Sequence, residues 1–123
     1  MNRRPAPPRT APLRTTRSTF VVLATASDLS EARRLASRLV RERTAACVNV
    51  VPKVDSIYWW KGRVERGTEA LLLIKTQRSR LKLLNRRIQA LHSYEVPEVL
   101  ALSVSAGSHA YLQWLEESLM ISA

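Results

Sequence analysis

From Phe20 onward the apolar residues of this chain alternate between short β-rich runs and stripes of helical spacing. Phe20-Val21-Val22-Leu23-Ala24-Thr25 is a compact run of strand formers and predicts a buried strand. Ser27 and Asp28 then offer helix caps, and Asp28-Leu29-Ser30-Glu31 has capping-box spacing. Ala32, Leu35, Ala36, Leu39 and Val40 follow at the intervals of a helix lying on a core, with Arg34, Arg38 and Arg41 on a solvated face. Ala45 to Trp60 is extended chain rich in Val, Ile, Tyr and Trp, interrupted at Pro52, where a bulge or unpaired edge is expected. Lys61-Gly62 is a turn signal, and the chain returns through Val64 to Glu69-Ala70-Leu71-Leu72-Leu73-Ile74-Lys75-Thr76, with Gly67 suggesting a second bulge.

A helix capped by Ser79 follows, with Leu81, Leu84, Ile88 and Leu91 on one face. Val99 to Val104 is a last buried strand, and Gly107-Ser108 opens a terminal helix striped with Tyr111, Leu112, Leu115 and Leu119. The order β-α-β-β-α-β plus one helix predicts an α+β protein of the ferredoxin-like type, with helices on one face of an antiparallel sheet.

The hairpin is too long for such a domain. The 104 residues that follow the first 19 would form a globule roughly 33 Å across. Ala45 to Trp60, 16 residues, would reach on the order of 50 Å if extended. The overhanging end carries Ile57, Tyr58, Trp59 and Trp60, an apolar patch with unpaired strand edges that invites association. These four residues are therefore the expected interface of a homo-oligomer built by strand pairing between protomers.

Charge changes the picture at one end only. Of a net charge of +10, half comes from Arg3, Arg4, Arg9, Arg14 and Arg17, which no acid accompanies in residues 1–19. With four prolines among them, those residues read as a disordered basic tail, and residues 20–123 as the folded domain. The tail lacks the apolar stretch of a secretory signal; its arginines admit an organelle-targeting role as a lesser alternative to a cytoplasmic location. No apolar run is long enough to span a bilayer, and a single cysteine allows no internal disulfide.

The segments Ala46-Cys47-Val48-Asn49, Ser56-Ile57-Tyr58-Trp59-Trp60-Lys61-Gly62, Leu71-Leu72-Leu73-Ile74-Lys75-Thr76 and Tyr94-Glu95-Val96-Pro97-Glu98 together resemble the CutA family of divalent-cation tolerance proteins, over residues 20–118. The resemblance implies a homotrimer of PII-like shape, a cytoplasmic protein associated with the response to metal ions, and copper binding in some members. Two motifs depart from the family pattern: His92-Ser93-Tyr94-Glu95 stands where His-Pro-Tyr-Glu is usual, and Thr25-Ala26-Ser27 where Thr-x-Pro is usual. Of the three positions that match the family's copper ligands, Ala24, Leu91 and His92, only His92 keeps a ligand type.

His92 is accordingly the candidate metal ligand, alone or with Glu95 or Glu98 across a subunit boundary, although its place at a helix C-terminus also accounts for it. His109 and Cys47 read as incidental and as a small buried hydrophobe. Trp60, Lys75, Tyr94, Glu95 and Glu98 are candidates for a cleft between protomers that takes a small anionic ligand, with Glu95 pairing to Lys75 as the structural alternative. No nucleophile elbow, phosphate loop or His-Glu-x-x-His motif is present, so the expected function is non-enzymatic. The rival reading is a basic nucleic-acid-associated protein that binds non-specifically through its tail. The third strand has no aromatic residue on which a base could stack.

Overall fold

The computed structural model describes Pro5 and residues 12–120. Its elements are β1 (Leu13–Thr15), β2 (Thr19–Ala26), α1 (Leu29–Arg41), β3 (Cys47–Trp60), β4 (Arg63–Gln77), α2 (Leu81–Leu91), β5 (Leu100–Ser103), β6 (Ala106–Ser108) and α3 (His109–Leu119). The fold is mixed α+β. Four strands form an antiparallel sheet in the order β3-β4-β2-β5, and β1 pairs with β6 in a separate two-stranded ribbon.

Register explains which residues make the core. Phe20, Val22, Ala24 and Ala26 of β2 lie opposite Thr76, Ile74, Leu72 and Ala70 of β4, and directly opposed residues share a face. Leu35 and Leu39 of α1 and Leu84 and Ile88 of α2 pack on that face, in one buried cluster with Val22, Leu72 and Ile74. Asp28 caps α1, its side chain accepting from the Glu31 N–H, as the capping-box spacing predicts. The arginines of α1 are partly used on the surface: Arg38 and, from α2, Arg87 both reach the Glu42 carboxylate, and Arg34 donates to the Ser30 hydroxyl at 2.8 Å.

The long hairpin is as the sequence predicts, with one bulge and not two. The β3–β4 ladder shifts by one residue between Val51 and Val54, where Pro52 removes a donor. It then runs without interruption through Ser56↔Gly67, because Gly67 follows the strand in register; the expected second bulge does not form. Beyond the last β2–β4 pair, Ala26↔Ala70, the hairpin has no third strand. The seven pairs from Val54↔Glu69 to Trp60↔Arg63 therefore form an arm of about 23 Å at ~3.3 Å per residue. Trp59 is 74% exposed there, and Ile57, Tyr58, Trp60 and Val64 are exposed beside it.

Three further expectations are corrected. The ordered chain begins before Phe20: Leu13–Thr15 pairs with Ala106–Ser108, the His109 N–H donates to the Pro12 carbonyl at 2.8 Å, and Arg14 forms an ion pair with Glu116 at 2.9 Å. The rest of the expected tail, residues 1–4 and 6–11, lies outside the described residues. Ser79 does not cap α2; it sits within a turn of 3-10 helix, Arg78–Arg80, that leads into it. The last strand is split, since β5 ends at Ser103 and the chain resumes pairing only at Ala106, against β1.

The hairpin turn itself needs left-handed backbone at both central positions, φ 50 at Lys61 and 79 at Gly62, the geometry of a type I′ turn. Gly62→Ala should destabilise the protein by about 1 kcal/mol through backbone strain alone, since an added Cβ there would meet nothing within 4 Å. Lys61→Asn should stabilise it by a few tenths of a kcal/mol, because Asn tolerates that region better than Lys. Chemical denaturation of the two variants checks both signs.

Candidate functional site

The chain departs from the sheet at two places that polar side chains then bind together: the end of β2, where α1 begins, and the loop from His92 to Val99, where α2 returns to β5. Glu31 is the hub. Its Oε1 accepts from the Ser27 N–H and hydroxyl, each at 2.9 Å, and its Oε2 accepts from the Ser93 N–H at 2.9 Å. The residue is buried. Burial by itself raises a carboxyl pKa, but here the hydrogen bonds from Ser27 and Ser93 outweigh it and hold the group down at about 2.

His92 follows α2 as its C-cap, donating its N–H to the Ile88 carbonyl. Its side chain is fully enclosed, and both ring nitrogens are engaged: Nδ1 accepts from the Tyr94 N–H at 3.0 Å, and Nε2 lies 2.6 Å from the Thr25 carbonyl. Acceptance at Nδ1 places the proton on Nε2, which donates to Thr25. The ring thus ties the loop to the strand. The Tyr94 ring lies 4.6 Å from it, and the Tyr94 hydroxyl donates to Glu69 Oε2 at 2.6 Å, fastening the loop to the base of the hairpin arm. Burial and the adjacent Glu69 carboxylate push the Tyr94 hydroxyl well above the ordinary phenol range.

The other candidate residues stand elsewhere. Lys75 donates to the Asn49 Oδ1, next to Cys47, on the sheet face away from the helices, so it is not the partner of Glu95. Lys75 is six residues along β4 from Glu69 and twelve from Arg63, the partner of Trp60. At ~3.3 Å per residue, Trp60 and Lys75 are about 40 Å apart. Glu95 is exposed and Glu98 half-buried in the loop after Tyr94. One chain therefore brings together Glu31, His92, Tyr94 and Glu69, and leaves Trp60 and Lys75 at opposite ends of the hairpin. Glu69 and Asn49 carry no motif that would have singled them out; Glu31 shows only its capping-box spacing.

Among the described residues, no three His, Cys, Asp or Glu side chains converge as metal ligands. With both nitrogens occupied, His92 presents no free lone pair, Ala24 is sealed in the core, and Leu91 packs against it. These residues do not fit a metal centre within one chain.

The same sheet has a second face. Val21, Leu23, Leu71 and Leu73 alternate with the core residues and point away from both helices. Across β5 they continue into Leu102 and Leu100, which are 50% and 56% exposed. None of these six belongs to either packed core among the described residues.

The model of the CutA1 divalent ion tolerance protein family matches residues 20–118. The chain is 48% identical over 98 residues to the divalent-cation tolerance protein CutA of Thermus thermophilus, covering 80% of this chain and 95% of that one. It is 44% identical over 104 residues to a CutA protein of Oryza sativa described as chloroplastic, covering 85% of this chain but only 59% of that longer protein. The structure of CutA from Synechococcus elongatus is similar with a TM-score of 0.86 at 36% identity, covering 89% of this chain and 97% of that one.

A carboxyl held at about 2 in the folded protein and near 4.3 unfolded stabilises the fold fully above the unfolded value, and the contribution disappears as pH falls through the folded one. Stability should therefore drop by on the order of 2 kcal/mol between pH 4.5 and 2 on account of Glu31. Glu31→Gln should be less stable at pH 7 and show a flatter profile across that window. Denaturation midpoints at several pH values check it.

Proposed function

The chain belongs to the CutA1 divalent ion tolerance family, and from that membership we propose that it serves in the response to divalent cations as a non-catalytic homotrimer of ferredoxin-like subunits with PII-like shape, located in the cytoplasm. The observation that carries the assembly is the second sheet face, apolar from Leu71 to Leu102, continued into an arm tipped with Trp59 and Trp60. Water leaves such a surface at a gain of about 1.5–3 kcal/mol for each large side chain covered, and sister chains are the occupants that extended strand edges on the same arm favour.

Assembly also supplies what one chain lacks. Trp60 and Lys75 can line one cleft only if they come from different subunits, with Tyr94, Glu95 and Glu98 beside them, and such a cleft suits a small anionic ligand. A divalent cation, copper included, would take its carboxylate ligands from Glu95 and Glu98 at such a boundary. Nucleic-acid association through the Arg-rich first residues is the weaker reading, for β4 has no aromatic residue and the exposed sheet face is aliphatic.

Light scattering should report three chains for the wild type. Leu73→Glu on the second face, and separately Trp59→Ser with Trp60→Ser at the arm tip, should each shift the mass towards one chain. A mass unchanged by both variants would count against the assembly. Titration with Cu(II) should show about tenfold weaker binding in Glu95→Gln/Glu98→Gln and unaltered binding in His92→Asn. The reverse pattern would return the metal to His92.

A further inference from the structure

We infer that the bend between the small ribbon and the main sheet is a binding site for a phosphate group carried by a small molecule. The chain passes from β1 to β2 through Thr16, Arg17 and Ser18, and from β5 to β6 through Val104 and Ser105. The two passages are bonded to each other, Thr16 N–H to Ser105 O and Val104 N–H to Thr19 O, each at 3.0 Å. An open cleft of ≈ 680 Å³ lies at this double bend, lined by Thr15, Thr16, Arg17, Arg78, Ser103 and Ser105. That volume is in the range of small-molecule sites.

The chemistry of the lining is one-sided. It holds two guanidinium groups, four hydroxyls and no carboxylate. Arg78 is fixed in place: its guanidinium lies over the Phe20 ring with Cζ 4.8 Å from the centroid, it donates from one terminal nitrogen to the Arg17 carbonyl at 3.2 Å, and its backbone N–H donates to the Ser18 carbonyl at 2.7 Å. Its remaining donors are pre-oriented and have no carboxylate to meet. The Arg17 guanidinium and the hydroxyls of Thr15, Ser103 and Ser105 have no hydrogen-bond partner among the described residues. Arg14, Arg38 and Arg87 are each matched to a glutamate, and Arg34, Arg43 and Arg80 bond to hydroxyl or carbonyl oxygens; Arg17 and Arg78 are set apart by lining one cleft together. A planar fork held by stacking, a second free guanidinium and several hydroxyls are the donor set that a phosphate's oxygens need.

Two observations favour a small molecule over a nucleic acid strand. Phe20 is buried beneath Arg78 and offers no face for base stacking. The lining comes from one double bend of the chain and not from a groove that tracks along the sheet. The site is also compatible with assembly, because Ser103 pairs with Phe20 and so lies on the face opposite Leu100, Leu102 and the rest of the apolar surface.

Pyrophosphate, titrated into the full-length ¹⁵N-labelled protein at constant ionic strength, should shift the amide resonances of Arg17, Arg78, Ser103 and Ser105 saturably, and inorganic phosphate should compete at the same resonances. Arg17→Gln removes a guanidinium that has no partner among the described residues, so it should leave the fold intact and weaken binding about tenfold. Arg78→Gln should weaken it at least as much, whereas Arg34→Gln, on the outer face of α1, should not alter it. Non-saturating shifts, or equal affinity in Arg17→Gln and wild type, would overturn the proposal. So would a single-stranded oligonucleotide that binds these residues more tightly than pyrophosphate does, which would assign the bend to nucleic acid.

Discussion

The central strands of this protein are apolar on both faces, and two helices can cover only one of them. An antiparallel sheet in a soluble domain usually presents one face to water, so its strands alternate between apolar and polar residues. Here β2 and β4 do not alternate: Val21 and Leu23 stand between Phe20, Val22 and Ala24, and Leu71 and Leu73 stand beside Leu72 and Ile74. The covered face even holds the smaller residues, Ala24, Ala26 and Ala70, all fully buried, which bring α1 close to the sheet. The larger side chains of the other face and the indoles of the arm then make a single demand for burial, because the same two strands, β3 and β4, run from one into the other.

That demand could not be met by a sheet whose ends were loose, and the polar knot around Glu31 supplies the stiffness. Its carboxylate accepts from residues on both sides of a chain reversal, Ser27 at the start of α1 and Ser93 after α2. His92 adds a second strap, to Thr25 at the end of β2, and Tyr94 a third, to Glu69 where the arm leaves the domain. His92 and Tyr94, two of the residues expected at a ligand or metal site, thus also tie their loop to the sheet near the root of the arm. A group that caps, ties and buries in this way is satisfied within its own chain, which is why His92 is poorly placed to take a metal while Glu95 and Glu98, in the same loop, keep their carboxylates accessible.

Much of this was legible in the sequence because it rests on period and turn chemistry. The overlong hairpin, the bulge at Pro52, the Lys61-Gly62 turn and the caps at Asp28 and Ser108 all follow from local rules that the structure obeys. What stayed hidden rests on pairing at a distance. Leu13–Thr15 is too short and too polar to stand out as a strand, and becomes one only because Ala106–Ser108 is brought beside it by the end of β5. Gly67 resembles a bulge signal but keeps register. The buried state of His92 and the partnership of Tyr94 with Glu69 join residues far apart in the chain, which no motif spacing encodes. The separation of Trp60 and Lys75 to opposite ends of the hairpin within one chain likewise comes from the β3–β4 register.

The basic character of the chain divides in the same way. A +10 protein could owe its charge to a uniform solubilising surface, yet several arginines are spent internally on Glu42 and Glu116. Arg17 and Arg78 are not, and they lie beyond Gln77, the end of β4 farthest from Trp60. An aromatic tip, with Lys61 and Arg63 beside its indoles, stands at one end of the longest strand, and Arg17 and Arg78 stand together at the other. Because the two ends are more than a Debye length apart at physiological salt, and Ser103 opens away from the apolar face, covering the one surface neither shields nor neutralises the other. The proposed assembly and the proposed phosphate site therefore rest on separate parts of the fold, and a change that abolishes one leaves the physical basis of the other in place.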